Sequence, residues 1–257
     1  MTGVRGLTGV RPKLVVSGAG IVKGGVRILD GMDLEVEPGS FVALIGPSGA
    51  GKSTLLNLFA GLEAPTEGCV EKDGSPLSRP GSVAYMPQSD LLLPWRNVLA
   101  NVALGLEATG VPKRVARRKA MGALKHFGLE EFAKVFPPAL SGGMRSRVAL
   151  LRTTLLVRDT LLLDEPFGAL DALTRRSLQG WLLGVRAELA ATIVLVTHDV
   201  DEAILLADRV VALTRRPARV GLDLPVNLPR PRTMDAETTD EFIRLKGRLL
   251  EALGAAG

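Results

Sequence analysis

No stretch of this chain limits its fold more than Gly46-Pro47-Ser48-Gly49-Ala50-Gly51-Lys52-Ser53-Thr54. A glycine, a gap of four residues, then glycine-lysine-serine is the spacing of a loop that cradles a polyphosphate. Such a loop needs a buried strand before it, to pin its start, and a helix after it, whose N-terminus turns free N–H groups and a partial positive charge toward the anion. Both flanks are present. Phe41-Val42-Ala43-Leu44-Ile45 is an unalternating apolar run, the pattern of a strand buried on both faces of a parallel sheet. Leu55, Leu56, Leu58 and Phe59 recur at helical spacing, with Gly61 as a stop. Lys52 can then reach the β- and γ-phosphates and Ser53 can ligate magnesium. Many classes of nucleotide-binding protein share this loop, so it does not choose among them.

A second apolar run, Leu161-Leu162-Leu163, ends in Asp164-Glu165. A carboxylate at the end of a buried strand lies beside the phosphates, where Asp164 can hold magnesium and Glu165 can orient or deprotonate an attacking water. His198 follows a third such run, Ile193-Val194-Leu195-Val196, at the strand end where parallel α/β sheets bind ligands, and can hydrogen-bond the γ-phosphate. His126 has no such setting and reads as structural. Gln88 offers an amide able to touch magnesium and water, a signal no stronger by itself than a surface glutamine. In Leu140-Ser141-Gly142-Gly143-Met144-Arg145 the serine can cap a helix and the glycines uncover N–H groups at its start. Read alone, this segment also fits an ordinary serine-capped helix. Beside a cradle that already holds a nucleotide, it points to an anion site completed by another copy of the chain, in a head-to-tail dimer.

The rest of the chain is consistent with one large α/β domain. Its 257 residues, 46% of them hydrophobic, suffice for a sizeable core. Residues 14 to 45 read as short extended segments broken by glycine. Apolar positions between Val98 and Phe136 recur at helical intervals, giving a small helical subdomain, and the sheet resumes with the runs at 161–163 and 193–196. After Arg215, prolines at 217, 225, 229 and 231 predict a loose, exposed connection to a helix from Phe242 to Leu253. The single cysteine, Cys69, excludes an intramolecular disulfide and reads as a small buried thiol in a cytoplasmic protein. Met1 to Pro12 has no apolar stretch of signal length, and no segment approaches the roughly 20 apolar residues of a spanning helix. The net charge of +5 is spread among 27 acidic residues, and Arg114, Arg117, Arg118 and Lys119 read as a solvated helix face.

Taken together, from about residue 14 to 216, these motifs resemble the ABC ATPase family and stand in its order. The resemblance implies an α/β P-loop NTPase of ABC type: a mainly parallel sheet core, an antiparallel β subdomain and an inserted helical subdomain at about 89–155. It implies an ATPase domain over 1–216 and a C-terminal extension over 217–257. Residues 46–53 would be the Walker A loop, Asp164 and Glu165 the Walker B pair, and Gln88 the Q-loop. Ser141, Gly142 and Gly143 would be the signature, Ala169-Leu170-Asp171 the D-loop, and His198 the switch histidine. ATP and Mg2+ are the implied cofactors. Pro94 and Trp95 lie where the family receives membrane permease subunits, although Trp95 fits the core of the helical subdomain equally well.

Within the family the segments 92–98 and 164–171 look like importers of nitrate, taurine, sulfonates and pyrimidine precursors of thiamine. Tyr85-Met86-Pro87-Gln88 and Leu150-Leu151-Arg152-Thr153 lean to the hydroxymethylpyrimidine branch. The expected assembly is two copies at the cytoplasmic membrane face, with an extracytoplasmic solute-binding protein as an indirect partner and no nucleic acid. A soluble ABC-type ATPase acting on nucleic acid or ribosomes is the alternative, but it would require a long coiled coil, zinc cysteines or a second ATPase domain. The guanine motif of a GTPase is missing too. Two departures from the family stand out. Residues 14 to 30 contain no aromatic side chain to stack on adenine, Val22 or Lys23 falling near the place, and Met144 and Ser146 replace commoner glutamines.

Overall fold

The computed structural model describes residues 11–255 apart from Val157, Pro231 and Thr233, so most of the N-terminal stretch read above, and Pro231, lie outside the described residues. Strands β1 (Leu14–Lys23) and β2 (Val26–Val36) form a hairpin through Gly24 and Gly25, and β3 (Phe41–Ile45) leads directly into the glycine loop and α1 (Lys52–Phe59). β4 (Glu67–Lys72) and β5 (Ser75–Pro76) return to the first hairpin and complete an antiparallel sheet of order β2-β1-β4-β5. After β6 (Ala84–Met86) come three helices, α2 (Val98–Ala108), α3 (Lys113–His126) and α4 (Gly142–Thr154). The chain then enters β7 (Thr160–Asp164), α5 (Ala172–Leu189), β8 (Thr192–Val196), α6 (Val200–Leu206), β9 (Arg209–Leu213), β10 (Val220–Pro225) and α7 (Asp240–Ala255). The main sheet has the order β10-β9-β3-β8-β7-β6 and is parallel except at β10.

The unalternating runs are explained by two cores, one on each face of this sheet. Phe41, Ala43 and Ile45 pack with the helical layer, whereas Val42 and Leu44 pack with α1 and the antiparallel sheet. The same division separates Leu161 and Leu163 from Leu162, and Ile193 and Leu195 from Val194 and Val196. A strand with two apolar faces has no solvent side, and this is why its sequence does not alternate. The basic run on α3 does face solvent: Arg114, Arg117, Arg118 and Lys119 are exposed, while Ala116 and Ala120 are buried.

Two expectations are corrected. Cys69 is exposed rather than buried, because β4 turns Val70 inward and the pleat puts its neighbour outside. The proline-rich stretch after 215 is not a loose connection. Its residues 220–225 are the edge strand β10, where Pro225 is tolerated because an edge leaves one row of N–H positions unused. Leu224 within it and Val226 and Leu228 beyond it are buried, and buried Arg232 donates to the carbonyls of Ile204 and Val226 at 2.9 Å each. Phe242, Leu245 and Leu249 of α7 enter the same core as the helical layer.

Leu224→Ala and Leu249→Ala should therefore each lower the unfolding free energy by ~2–5 kcal/mol in chemical denaturation, the range for emptying a packed leucine site. A chain ending at residue 216 should fail to unfold cooperatively.

Candidate functional site

The glycine loop is held by backbone geometry at both ends. Gly46 has φ 154° and lies so close to β9 that a Cβ there would come 2.9 Å from the Leu213 carbonyl oxygen. Gly51 is left-handed at φ 104°, and a Cβ there would meet Leu29 at 3.0 Å and Ile28 at 3.1 Å, both on β2. Side chains at these positions would push the loop off the sheet. Lys52 folds back over the loop, its ammonium donating to the carbonyls of Gly46 at 2.8 Å and Pro47 at 2.9 Å. Burial pushes its pKa below the ordinary lysine value, opposed by Glu165 and Asp164.

A cavity of about 370 Å³ opens over this loop. It is lined by Gly46, Ser48, Gly49, Ala50, Gly51, Lys52, Ser53 and Thr54 from the loop and α1, and by Gln88, Glu165 and His198 from three other strand ends. Asp164, 2% exposed at the end of β7, accepts a hydrogen bond from the Ser53 hydroxyl. Burial pushes its carboxyl above the usual aspartate value, against the pull of Ser53 and Lys52. With Ser53 and Gln88 it also lines a neighbouring cavity of about 640 Å³ toward the helical layer. Glu165 takes φ 49°, which few non-glycine residues adopt, and its N–H donates to the Val196 carbonyl at 2.9 Å. Its Oε2 lies 3.5 Å from Nδ1 of His198, so the two groups proposed for the water and the γ-phosphate face each other.

Ser141, Gly142, Gly143 and Asp171 do not line the cavity with the cradle. Ser141 caps α4, its hydroxyl oxygen accepting from the Met144 N–H at 3.3 Å. Asp171 caps α5 and accepts from the Thr174 N–H at 3.0 Å, which holds its pKa below the usual aspartate value. The two turns touch: a Cβ on Gly143 would lie 3.3 Å from the Ala169 carbonyl oxygen. The segment after Gln88 is tied to α4, because Arg152 donates to the carbonyls of Leu91 at 2.7 Å and Asp90 at 2.6 Å, and Arg145 Nε donates to the Asp90 carboxylate at 2.9 Å. Trp95 projects from this region, 72% exposed. The loop beneath it is braced by fully buried Asn101, which accepts from the Leu93 N–H at 2.8 Å and donates to the Arg96 carbonyl at 2.8 Å. At the expected adenine position Val22 is exposed and Lys23 is paired with Glu63 at 2.7 Å, so no ring is available there.

Two residues escaped motif reading. Arg216, from the hairpin between β9 and β10, lines the cradle cavity, and no short-range pattern announces it. Glu202, 6% exposed in the first turn of α6, accepts from Gln179 Nε2 at 3.1 Å and from the hydroxyl of Thr197, the residue before His198. Its only sequence signal is a glutamate three residues after the capping Asp199, a pattern that usually marks a helix start.

A polyphosphate cradle at the end of a buried parallel strand, with an Asp-Glu pair and a histidine at the neighbouring strand ends, defines a P-loop nucleotide-hydrolysing protein. The comparisons narrow this class. The chain belongs to the ABC transporter family, whose model matches residues 29–168. It is 50% identical over 206 residues to an aliphatic sulfonates import ATP-binding protein of Rhodococcus jostii, covering 80% of each chain. It is 44% identical over 227 residues to a bicarbonate transport ATP-binding protein of Synechococcus elongatus, covering 86% of this chain and 34% of that one. Among solved structures, a dimeric post-hydrolysis state of an ATP-binding cassette bound to ADP and Pi superposes with a TM-score of 0.75 at 28% identity, over 84% of this chain and 100% of that one. The protein is accordingly an ATP-binding ABC ATPase with the fold of that family.

Burial pushes the Glu202 carboxyl up to about 7, against 4.5 for an ordinary glutamate. Between those values the folded chain holds a proton that the unfolded chain has lost, so stability falls as pH rises through that window and the loss is complete above it. Glu202→Gln, which keeps both partners without a charge, should flatten this slope in denaturation curves and exceed the wild type by roughly 2 kcal/mol at pH 8.

Proposed function

We propose that this chain is the ATP-hydrolysing subunit of an importer for a small anion of the sulfonate or bicarbonate kind, acting as one of two copies that close around ATP. The observation that carries the paired arrangement is the separation of the two phosphate-binding turns. The Ser141-Gly142-Gly143 turn offers free N–H groups at a helix start, yet the cavity over the glycine loop is lined without it. A second copy, turned head to tail, brings its own turn over that cavity and completes the enclosure of the γ-phosphate. The dimeric ADP-bound cassette supports this reading, and the sulfonate and bicarbonate relatives support import of an anion over action on nucleic acid.

In this assignment Gly46, Pro47, Ser48, Gly49, Ala50, Gly51, Lys52, Ser53 and Thr54 bind the phosphates. Glu165 orients and deprotonates the attacking water, and His198 senses the γ-phosphate. Asp171, on the same surface as Gly143, reaches the facing copy. The hard oxygen set of Ser53, Asp164 and Gln88 fits Mg2+: Ser53 and Asp164 are already hydrogen-bonded, and burial leaves the Asp164 charge in need of a cation. The ion would neutralise charge on the β- and γ-phosphate oxygens. Trp95, exposed on a braced loop beside the cavity that Gln88 shares, is the proposed anchor for a permease subunit; residues 89–155 would carry that contact and residues 217–257 would buttress the ATPase core. No helix among the described residues is long and apolar enough to cross a membrane, which fits a peripheral subunit at the cytoplasmic face working with an extracytoplasmic solute-binding protein.

Glu165→Gln should cut ATP turnover by ~100-fold or more, the usual weight of a general base, while ATP still drives dimerisation in size-exclusion runs. Turnover at the wild-type rate would overturn the assignment. Trp95→Ala should weaken recovery of the membrane subunits in pull-downs by roughly 10- to 100-fold, as expected for an aromatic interface anchor.

A further inference from the structure

We propose that Arg216 is a polyphosphate-binding residue, added to the nucleotide cradle by the hairpin between β9 and β10. The proposal rests on residues 46–54 being that cradle. Arg216 lines the same cavity as Lys52 and the loop glycines, although 167 positions separate it from Gly49. Its Nε donates to the Gly49 carbonyl, which seats the guanidinium on the rim of a site built to receive negative charge. One of five N–H donors is used in this way; among the described residues, no other hydrogen bond and no carboxylate engages the guanidinium. Arg209 is paired with Asp223 at 2.5 Å and Arg219 with Asp30, whereas Arg215 and Arg216 have no carboxylate partner among the described residues, and of these two only Arg216 lines the cradle cavity.

The placement is not that of a loose loop. Thr214 N–H donates to the Arg219 carbonyl at 3.0 Å, and Arg219 N–H to the Thr214 hydroxyl at 3.0 Å. Buried Ala218 is clamped to β2 by bonds from its N–H to the Ile28 carbonyl at 2.8 Å and from the Asp30 N–H to its carbonyl at 3.2 Å. The hairpin is thereby locked against the strand whose Ile28 and Leu29 touch Gly51, and it carries Arg216 to the loop mouth. A guanidinium anchored through Nε presents its remaining fork to the phosphate oxygens, a charge-assisted geometry stronger than a neutral hydrogen bond. This matters more here than in a site with an adenine ring partner, because Val22 and Lys23 supply no aromatic face at the base.

The test uses the full-length chain and competition against a fluorescent ATP analogue, with ATP and base-free tripolyphosphate as competitors. Arg216→Ala and Arg216→Gln should each weaken ATP and tripolyphosphate by about tenfold, the size of one charged hydrogen bond, and Arg216→Lys should recover much of the loss. Added salt should narrow the gap between wild type and Arg216→Ala. Unchanged affinities in Arg216→Ala overturn the proposal, as does full recovery by Arg216→Gln, since the neutral side chain can brace the Gly49 carbonyl without contacting phosphate. Loss for ATP with none for tripolyphosphate also overturns it, by moving the contact to the nucleoside. Lys52→Ala separates the two readings: tripolyphosphate binding that survives this change overturns the cradle itself, and Arg216 with it.

Discussion

A loop that binds polyphosphate must keep several backbone N–H groups uncovered and aimed at one point, an arrangement that the loop cannot hold by itself. The burial of β3 on both faces provides the rigidity. Phe41, Ala43 and Ile45 are locked into one core, Val42 and Leu44 into the other, and β8 and β9 flank the strand on both edges. The loop's first glycine is pressed on β9 and its last on β2, so that its course is set by packing at both ends. Lys52 and Asp164 are then buried with opposite charges beside a cavity, each displaced by burial toward its neutral form and drawn back by its neighbours. Such a site gains from a ligand that brings both anionic oxygens and a cation.

The same packing connects the cradle to more distant parts. Three strand ends, those of β6, β7 and β8, carry Gln88, Glu165 and His198 to one cavity. From Gln88 the chain runs to Asp90 and Leu91, whose carbonyls are held by Arg152 of α4, the helix that Ser141 begins. Gly143 rests on Ala169, and Arg175 in the first turn of α5 reaches Asp199 at 3.8 Å, next to His198. The segment that carries the exposed Trp95 is thereby connected through hydrogen-bonded and packed groups to the Ser141 turn and, by way of Gln88, to the cavity over the glycine loop. Arg216 adds a contact from the opposite side, through a hairpin pinned to the antiparallel sheet.

What the amino-acid sequence determined by itself was the local chemistry. The glycine spacing, the apolar runs ending in Asp164-Glu165 and before His198, and the serine-capped Gly142-Gly143 turn were legible because donors at a helix start and two-faced strands are encoded within a few consecutive residues. The parallel core and the helical insert followed from the same patterns. Tertiary structure alone decided the rest. Cys69 faces out because of how β4 pairs, and the prolines after 215 mark an edge strand only because β9 offers an edge there. Trp95 faces solvent from a loop that buried Asn101 braces from within. Arg216 reaches the site across 167 positions, to Gly49, and Glu202 meets Gln179 across 23, through contacts that no periodicity records. Local sequence specifies which backbone groups are free to bind phosphate; which distant charges stand beside them depends on how the sheet brings remote strand ends together.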